Sequence, residues 1–197
     1  MLQIIEVTDS DGRIVASRWL GPAEHVHRQL RPQLMPNYSD QMLRVFAGGG
    51  RMLVAVDDGT LLGLCVWRVL EKTFSRSELY IDDLVADSSH RSEGVGKALL
   101  GWCEAKARAL GCTQLTLDSG TPRLQAHKFY FREGLQDKLG VDVHWREYVV
   151  VRQIDGTSPQ PAQRFAPEAF VAALLGAARP ASGGGRTTGA QVHLRLQ

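Results

Sequence analysis

The sequence lacks most of what would make a chain fibrous, membrane-spanning or disulfide-stapled. Cysteine occurs three times in 197 residues. Cys65, Cys103 and Cys112 are an odd number, with neither a disulfide framework nor metal-ligand spacing. Long apolar runs are missing too. The best, Leu61 to Trp67, is broken by Gly63 and falls far short of the ~18 residues of a membrane span. Met1 to Val7 has no basic segment ahead of its apolar residues, which argues against a secretory signal. There is no excess of one charge: 23 basic against 21 acidic side chains leave +2. That speaks against a strongly basic nucleic-acid binder, although pI ≈ 8.5 is compatible with a polyanionic ligand. What is present is ordinary globular composition, 44% apolar and 22% charged. The expectation is a soluble, cytoplasmic protein with neither a membrane nor a nucleic acid as partner.

Glycine and proline are unevenly spread. Residues 155–197 hold Pro159, Pro161, Pro167, Pro180 and the run Gly183-Gly184-Gly185, which is linker composition. Within it Pro167 to Arg179 reads as one short amphipathic helix, and Val192, Leu194 and Leu196 alternate as an edge strand does. The chain therefore divides near residue 153. Residues 1–153 form a domain and 154–197 a Pro/Gly/Ala-rich tail, whose helix has room to dock on the domain or on a second subunit of a homodimer.

In the first part, Ile4 to Val7 reads as a strand. Pro22 to Leu34 reads as a helix, and Tyr38 to Phe46 as another, capped by Ser39 or Asp40 and stopped by Gly48-Gly49-Gly50. Met52 to Val56 and Leu61 to Val69 flank Asp58-Gly59, a strong hairpin signal. Glu78 to Val85 is a further strand. Gly94 to Leu110 is the best-marked helix, with Val95, Leu99, Trp102 and Leu110 on one stripe and Gly111 just past its end. Thr113 to Leu117 is a strand, Leu124 to Arg132 a helix closed by Gly134, and Val141 to Val151 the final strand region. This order predicts an α/β (α+β) fold, a mixed sheet with helices on both faces.

The chemistry begins at the turn His90-Arg91-Ser92-Glu93-Gly94-Val95-Gly96-Lys97, between a strand and a helix. Its glycines let backbone approach a ligand closely. The unpaired N–H groups at a helix start, with the macrodipole behind them, favour an anion. Arg91 and Lys97 add positive charge, so the turn suits a phosphate or pyrophosphate. The glycines fit a plain tight turn equally well. Ala98 follows Lys97, so this is not a Walker A loop, and no G-x-G-x-x-G is present.

Leu84 to Gly96, with Arg91, Gly94 and Gly96 at the key positions, resembles the acetyl-CoA signature of the Gcn5-related N-acetyltransferase (GNAT) superfamily. Further along, Ala126 to Leu135, with Tyr130 and Gly134, is similar to that family's Ala-x-x-x-Tyr-x-x-x-Gly-hydrophobic helix. The resemblance implies a mixed sheet with two central strands splayed apart and acetyl-CoA in the gap. It implies cofactor contacts from Leu84, Val85, Arg91, Ser92, Glu93, Gly94, Val95, Gly96 and Lys97, and no metal. Asp118 to Arg123 with Ala126 to Tyr130 looks most like the small-amine enzymes of the aminoalkylphosphonate type. Tyr80 to Leu84 resembles the acidic strand of the polyamine type, which puts an assisting carboxylate on Asp82. Three departures stand out. Ser92-Glu93 replaces a Gly and a basic residue, Arg123 stands where many relatives have Asn, and Asp82 is one methylene shorter than the usual Glu.

The implied reaction moves an acetyl group to a primary amine of a small molecule. An alkylamine with pKa ~10.4 is protonated at neutral pH, so a carboxylate must take its proton. Asp82 and Asp83 are adjacent, and strand alternation lets only one face a given cleft. Asp82 is the choice, with Glu78 on the same strand face as the second candidate; an acidic edge that merely attracts cations is the alternative. A backbone N–H near Val85 is expected to meet the developing oxyanion. Tyr130 is placed by resemblance as general acid to the CoA thiolate, although Phe129 and Phe131 beside it equally suit a core cluster. His25 and His27 lie two apart and make no metal pair. Glu24, His25 and Tyr38 are candidate acceptor contacts. A protein or peptide N-acetyltransferase, or a non-catalytic acyl-CoA-binding module, are the other functions this fold permits.

Overall fold

The computed structural model describes residues 1–73, 76–91, 93–120, 122–142 and 147–154; for 136–151 and 153 it describes the backbone. The elements run β1 (Gln3–Glu6), α1 (Leu20–Leu30), α2 (Tyr38–Ala47), β2 (Arg51–Asp57), β3 (Thr60–Lys72), β4 (Arg76–Ala86), α3 (Val95–Ala109), β5 (Gln114–Gly120), α4 (Leu124–Arg132), β6 (Gln136–Asp142) and β7 (Glu147–Gln153). The tail helix over 167–179 and the terminal strand expected from the sequence lie outside the described residues.

Local chemistry explains most boundaries. Asp58 and Gly59 both take positive φ, 44° and 74°, the mirror-image turn that matches strand twist in a two-residue hairpin. α1 stops at Leu30, earlier than the apolar spacing suggests. Pro32 bars Arg31 from the helical region, and Arg31 takes φ −125°, ψ 74°. α2 is capped by Asn37, not by Ser39 or Asp40: its side chain accepts from the Asp40 N–H at 3.2 Å. The expected single final strand is two, β6 and β7, paired antiparallel.

The strands make one sheet in the order β1-β2-β3-β4-β5-β7-β6. β4 and β5 are its parallel pair; the other neighbours are antiparallel. The sheet has a core on each face. On one, α1 and α2 bury Leu20, Ala23, Val26, Tyr38, Met42 and Phe46 against Val54, Leu64 and Val66. On the other, α3 buries Val95, Leu99, Leu100, Cys103 and Ala107, with Tyr130 of α4, against Leu53, Cys65, Leu79, Ile81 and Leu117. Leu110, expected on the apolar stripe, lies past the end of α3 and is 48% exposed. Gly63 sets how closely α3 lies on the sheet. A Cβ there would stand 2.7 Å from Val95 Cγ1 and 2.8 Å from the Val85 carbonyl oxygen, well inside contact distance. The cysteines are free and buried, as small apolar side chains are. Among the described residues no helix is long and apolar enough to cross a membrane.

Candidate active site

β4 and β5 pair from Glu78↔Gln114 to Ile81↔Leu117 and no further, although β4 runs on to Ala86 and β5 to Gly120. The strands part there, and the gap opens a cleft of about 340 Å³. Its walls are the β4 segment Tyr80 to Leu84, the end of β5 with Leu117, Asp118 and Gly120, the C-terminal end of α1 with Leu30 and Arg31, and Arg123, Ala126 and Tyr130 at α4. A parting parallel pair leaves backbone N–H and C=O groups of both strands without a ladder partner, which suits an extended ligand.

β4 carries one more residue than β3 at the mouth of this cleft. Val66 faces Asp83 and Trp67 faces Ile81, so Asp82 is the extra residue of a β-bulge. The bulge shifts the strand's alternation. Leu79 and Ile81 pack under α3, and past the bulge it is Leu84 and Ala86 that do so, while Val85 turns to the α1–α2 side. This corrects the expectation that strand alternation lets only one of Asp82 and Asp83 face the cleft: both line it. Their surroundings differ. Arg68 Nε and Nη2 lie 2.8 and 2.7 Å from the same Asp82 oxygen, Oδ2. Asp82 Oδ1 has no protein partner among the described residues. Burial raises the Asp82 pKa against the pull of Arg68. Asp83 is held at both oxygens, Oδ1 by Arg31 Nε at 2.6 Å and Oδ2 by His27 Nε2 at 3.0 Å. Glu78, the second candidate, is not at the cleft. It is buried before the strands part, 2.5 Å from Lys72 Nζ.

Tyr130 comes to the same cleft from α4. It is 7% exposed and belongs to the α3-side core while it lines the cleft, so the core and functional readings of this residue coexist. Burial pushes its phenol pKa up to about 12, so it stays protonated at neutral pH. The neighbouring Phe129 ring, 5.3 Å away, lies over α3. A Cβ on Gly96 would stand 3.3 Å from its Cζ. The absence of a side chain at Gly96 thus serves helix packing.

The turn into α3 places the remaining expected residues. Gly94 is the N-cap at φ 83°, a left-handed conformation that favours glycine. The first intrahelical bond is Ala98 N–H to the Gly94 carbonyl at 2.9 Å, so the N–H groups of Val95, Gly96 and Lys97 are the orphan donors of the helix start. Arg91, Glu93 and Lys97 are exposed around it. The donor set suits a phosphate or pyrophosphate. The Val95 side chain is buried in the core, leaving only its backbone for a ligand. Ser92 lies outside the described residues.

Leu84 lines the cleft; Val85 does not. Asp87 N–H bonds the Leu62 carbonyl at 2.8 Å, and Val85 is paired with Leu64 in the same register. Antiparallel bonding has a period of two residues, so Val85 N–H points into β3 and Leu84 N–H to the open edge. The backbone donor expected near Val85 is therefore one residue earlier, at Leu84.

Of the candidate acceptor contacts, none lines the cleft. Glu24 pairs with Arg28 on α1, 2.7 Å away, His25 is exposed, and Tyr38 is buried behind His27. Sequence reasoning weighed Asp83 as the alternative to Asp82; the places of His27, Arg31, Asp118 and Tyr80 at or behind the cleft are what it missed. Tyr80 donates its hydroxyl to Asp118 Oδ2 at 2.7 Å across the start of the cleft. One signal for His27 was available: it stands four residues after Ala23 and seven after Leu20, on the buried stripe of α1.

A sequence model described as the Acetyltransferase (GNAT) family matches residues 17–134, more than half of the chain. The chain is 33% identical over 93 residues to an uncharacterized N-acetyltransferase of Bacillus subtilis, covering 47% of this chain and 62% of that protein. It is 39% identical over 54 residues to the aminoalkylphosphonate N-acetyltransferase of Salmonella typhimurium, covering 27% of this chain and 35% of that one. The match thus spans less than two thirds of either relative. Among solved structures, the PaiA N-acetyltransferase of Thermoplasma acidophilum in complex with coenzyme A superposes with TM-score 0.56 at 14% identity, covering 78% of this chain and 99% of that one. An aminoglycoside acetyltransferase from an uncultured soil metagenomic sample superposes with TM-score 0.55 at 19% identity, covering 68% and 87%. These two structures are similar in fold. With its parted central strands and its glycine turn into α3, the chain belongs to the GNAT acetyltransferase family.

Proposed function

We propose that the protein is an N-acetyltransferase that moves the acetyl group of acetyl-CoA to a primary amine of a small molecule. One observation carries the reading: Asp82 and Tyr130 line the same cleft, and Phe129, next to Tyr130, packs on Gly96 of the turn into α3. Acetyl-CoA supplies an activated thioester. The N–H groups of Val95, Gly96 and Lys97, with Arg91 and Lys97 nearby, bind its pyrophosphate. Leu84 N–H, at the open edge of β4, is aimed where a carbonyl oxygen gains negative charge. Asp82 takes the amine proton at Oδ1, the oxygen Arg68 leaves free. Tyr130 holds a proton at its hydroxyl for the departing sulfur, and its raised pKa keeps that proton in place.

The charges favour one kind of amine. Asp82, Asp83 and Asp118 line the cleft together with Arg31 and Arg123, and Arg68 stands on Asp82. The signs balance, so a polycation meets little net attraction, and an amine that also carries an acidic group suits the cleft better. The identity shared with an aminoalkylphosphonate N-acetyltransferase supports the same choice.

A thiol-release assay with acetyl-CoA tests both statements. The panel is 2-aminoethylphosphonate, an amino acid, spermidine, an aminoglycoside and a peptide N-terminus. Turnover highest with 2-aminoethylphosphonate or the amino acid is expected. Preference for spermidine overturns the charge argument, preference for the peptide overturns the small-molecule reading, and tight acetyl-CoA binding with no turnover of any amine marks a binding module.

A further inference from the structure

Behind the acceptor wall of the cleft lies a buried polar chain that the proposed reaction does not use. Tyr38, at the start of α2, and His27, on α1, are each 2% exposed. His27 Nδ1 is 3.0 Å from the Tyr38 hydroxyl, and His27 Nε2 is 3.0 Å from Asp83 Oδ2. Asp83 Oδ1 accepts from Arg31 Nε at 2.6 Å, and Arg31 Nη2 reaches the Asp82 carbonyl at 3.3 Å. The two rings meet edge to face, 5.7 Å between centroids at 85°. The chain starts in the apolar core under α1 and α2 and ends on Asp83 and Arg31, both at the cleft.

The chemistry fixes the direction of the bonds. An ionised carboxylate only accepts, so the proton between His27 and Asp83 is on Nε2. In the neutral imidazole Nδ1 is then the acceptor for the Tyr38 hydroxyl, which otherwise has no use for its proton in an apolar core. A histidine whose two nitrogens are both engaged is held in one ring orientation. The carboxylate it bonds is held with it, in the way a buried Asp orients a catalytic His, but with the roles exchanged.

We propose that His27 is a positioning residue for the acceptor side of the cleft: its Nε2–H fixes the Asp83 carboxylate, and through it the Arg31 guanidinium, so that Asp83 aligns the acceptor while Asp82 takes its proton. The proposal rests on the acetyltransferase reading above. It assigns different work to two adjacent carboxylates that the bulge turns to one side. Asp83 has both oxygens committed to protein partners; Asp82 has one oxygen open.

The test uses the full chain with acetyl-CoA and 2-aminoethylphosphonate, and substitutions that separate the two ends of the imidazole. His27→Gln can still donate from the position of Nε2. His27→Asn keeps a partner for Tyr38 and loses the donor to Asp83. The expected result is an acceptor KM raised about tenfold in His27→Asn and about twofold in His27→Gln, with kcat and the acetyl-CoA KM nearly unchanged. Equal effects of the two variants, or KM values for both substrates rising together with a fall in Tm, overturn the proposal in favour of a purely structural histidine. A second readout needs no acceptor. Nitrogen-15 NMR of the imidazole in the free protein is expected to place the proton on Nε2, and a proton on Nδ1 alone overturns the proposal. If wild-type protein acetylates none of the panel amines, the acetyltransferase reading fails, and the tautomer still decides whether Asp83 is held as described.

Discussion

The two faces of the sheet meet the cleft in different ways. On the α3 side, the ligand-facing parts come from one stretch of chain: the end of β4, the glycine turn, α3 and α4. Their bonds are mostly backbone, such as the Ala98 to Gly94 bond that opens the helix. On the α1–α2 side the parts are side chains brought together from far apart. His27 and Asp83 are 56 residues apart, and Arg31 and Asp83 are 52. A backbone cradle recognises what every reaction of this kind shares, and it tolerates side-chain change. A side-chain network recognises one acceptor and fails when one member changes. The difference teaches where to look for specificity in this protein: at Asp83, Arg31 and Asp118, not at the glycine turn.

Four substitutions sharpen or break that contrast. Removing the open carboxylate has the largest expected effect: Asp82→Asn lowers kcat/KM by about 10²–10⁴-fold, the range for a general base. It also changes the pH profile. The proposed base works only when ionised, and burial raises the Asp82 pKa above the ordinary 3.8. In the wild type kcat/KM therefore falls as the pH drops through that raised value, and in Asp82→Asn this acidic limb is lost. An unchanged limb gives the base to another group. Tyr130→Phe comes next, lowering kcat by about tenfold or more with little change in acetyl-CoA KM. An unchanged kcat leaves Tyr130 as a core residue only.

Gly94→Ala probes the backbone side. A left-handed non-glycine residue costs about 1–2 kcal/mol, so Tm is expected to fall by several degrees and acetyl-CoA affinity with it, while the acceptor KM holds. An acceptor KM that moves as far as acetyl-CoA affinity would show that the two sides are not separable. Glu78→Gln has the smallest expected effect on activity. It removes the charge facing Lys72, away from the cleft, so Tm falls while the acidic limb of the profile stays where it was. A shifted limb would return Glu78 to the list of bases.

The same contrast explains what the sequence made legible. The turn at Gly94 and the helix of Tyr130 are local patterns: capping, glycine placement and apolar spacing act within a few residues, and the elements stand where these forces put them. The hairpin at Asp58-Gly59 is legible for the same reason. The end of α1 was equally local, since Pro32 stands in plain view, but the apolar spacing through Leu34 overrode it. The bulge at Asp82 left a weaker trace. Apolar residues fall at Leu79 and Ile81 and then at Leu84 and Ala86, a slip of one in the alternation that the adjacent aspartates conceal. The His27 network left no local trace of its partners. A histidine on a buried helix stripe calls for a polar mate, and only the fold says which of the chain's carboxylates that mate is.

The bulge has one consequence beyond the cleft. Because β4 holds one residue more than its neighbour, its two halves run in opposite phase: before Asp82 the odd-numbered residues face α3, and after it the even-numbered ones do. Deleting Asp82 would restore plain alternation, with Ile81 opposite Trp67 and Asp83 opposite Val66. Leu84 and Ala86 would keep facing α3 and Val85 the other side. The change would fall on the cleft, which would lose one of its two adjacent carboxylates. The strand thus behaves as two short words joined by a hyphen. Either half can change its side chains under its own packing rules, and the extra residue between them is left to serve the cleft.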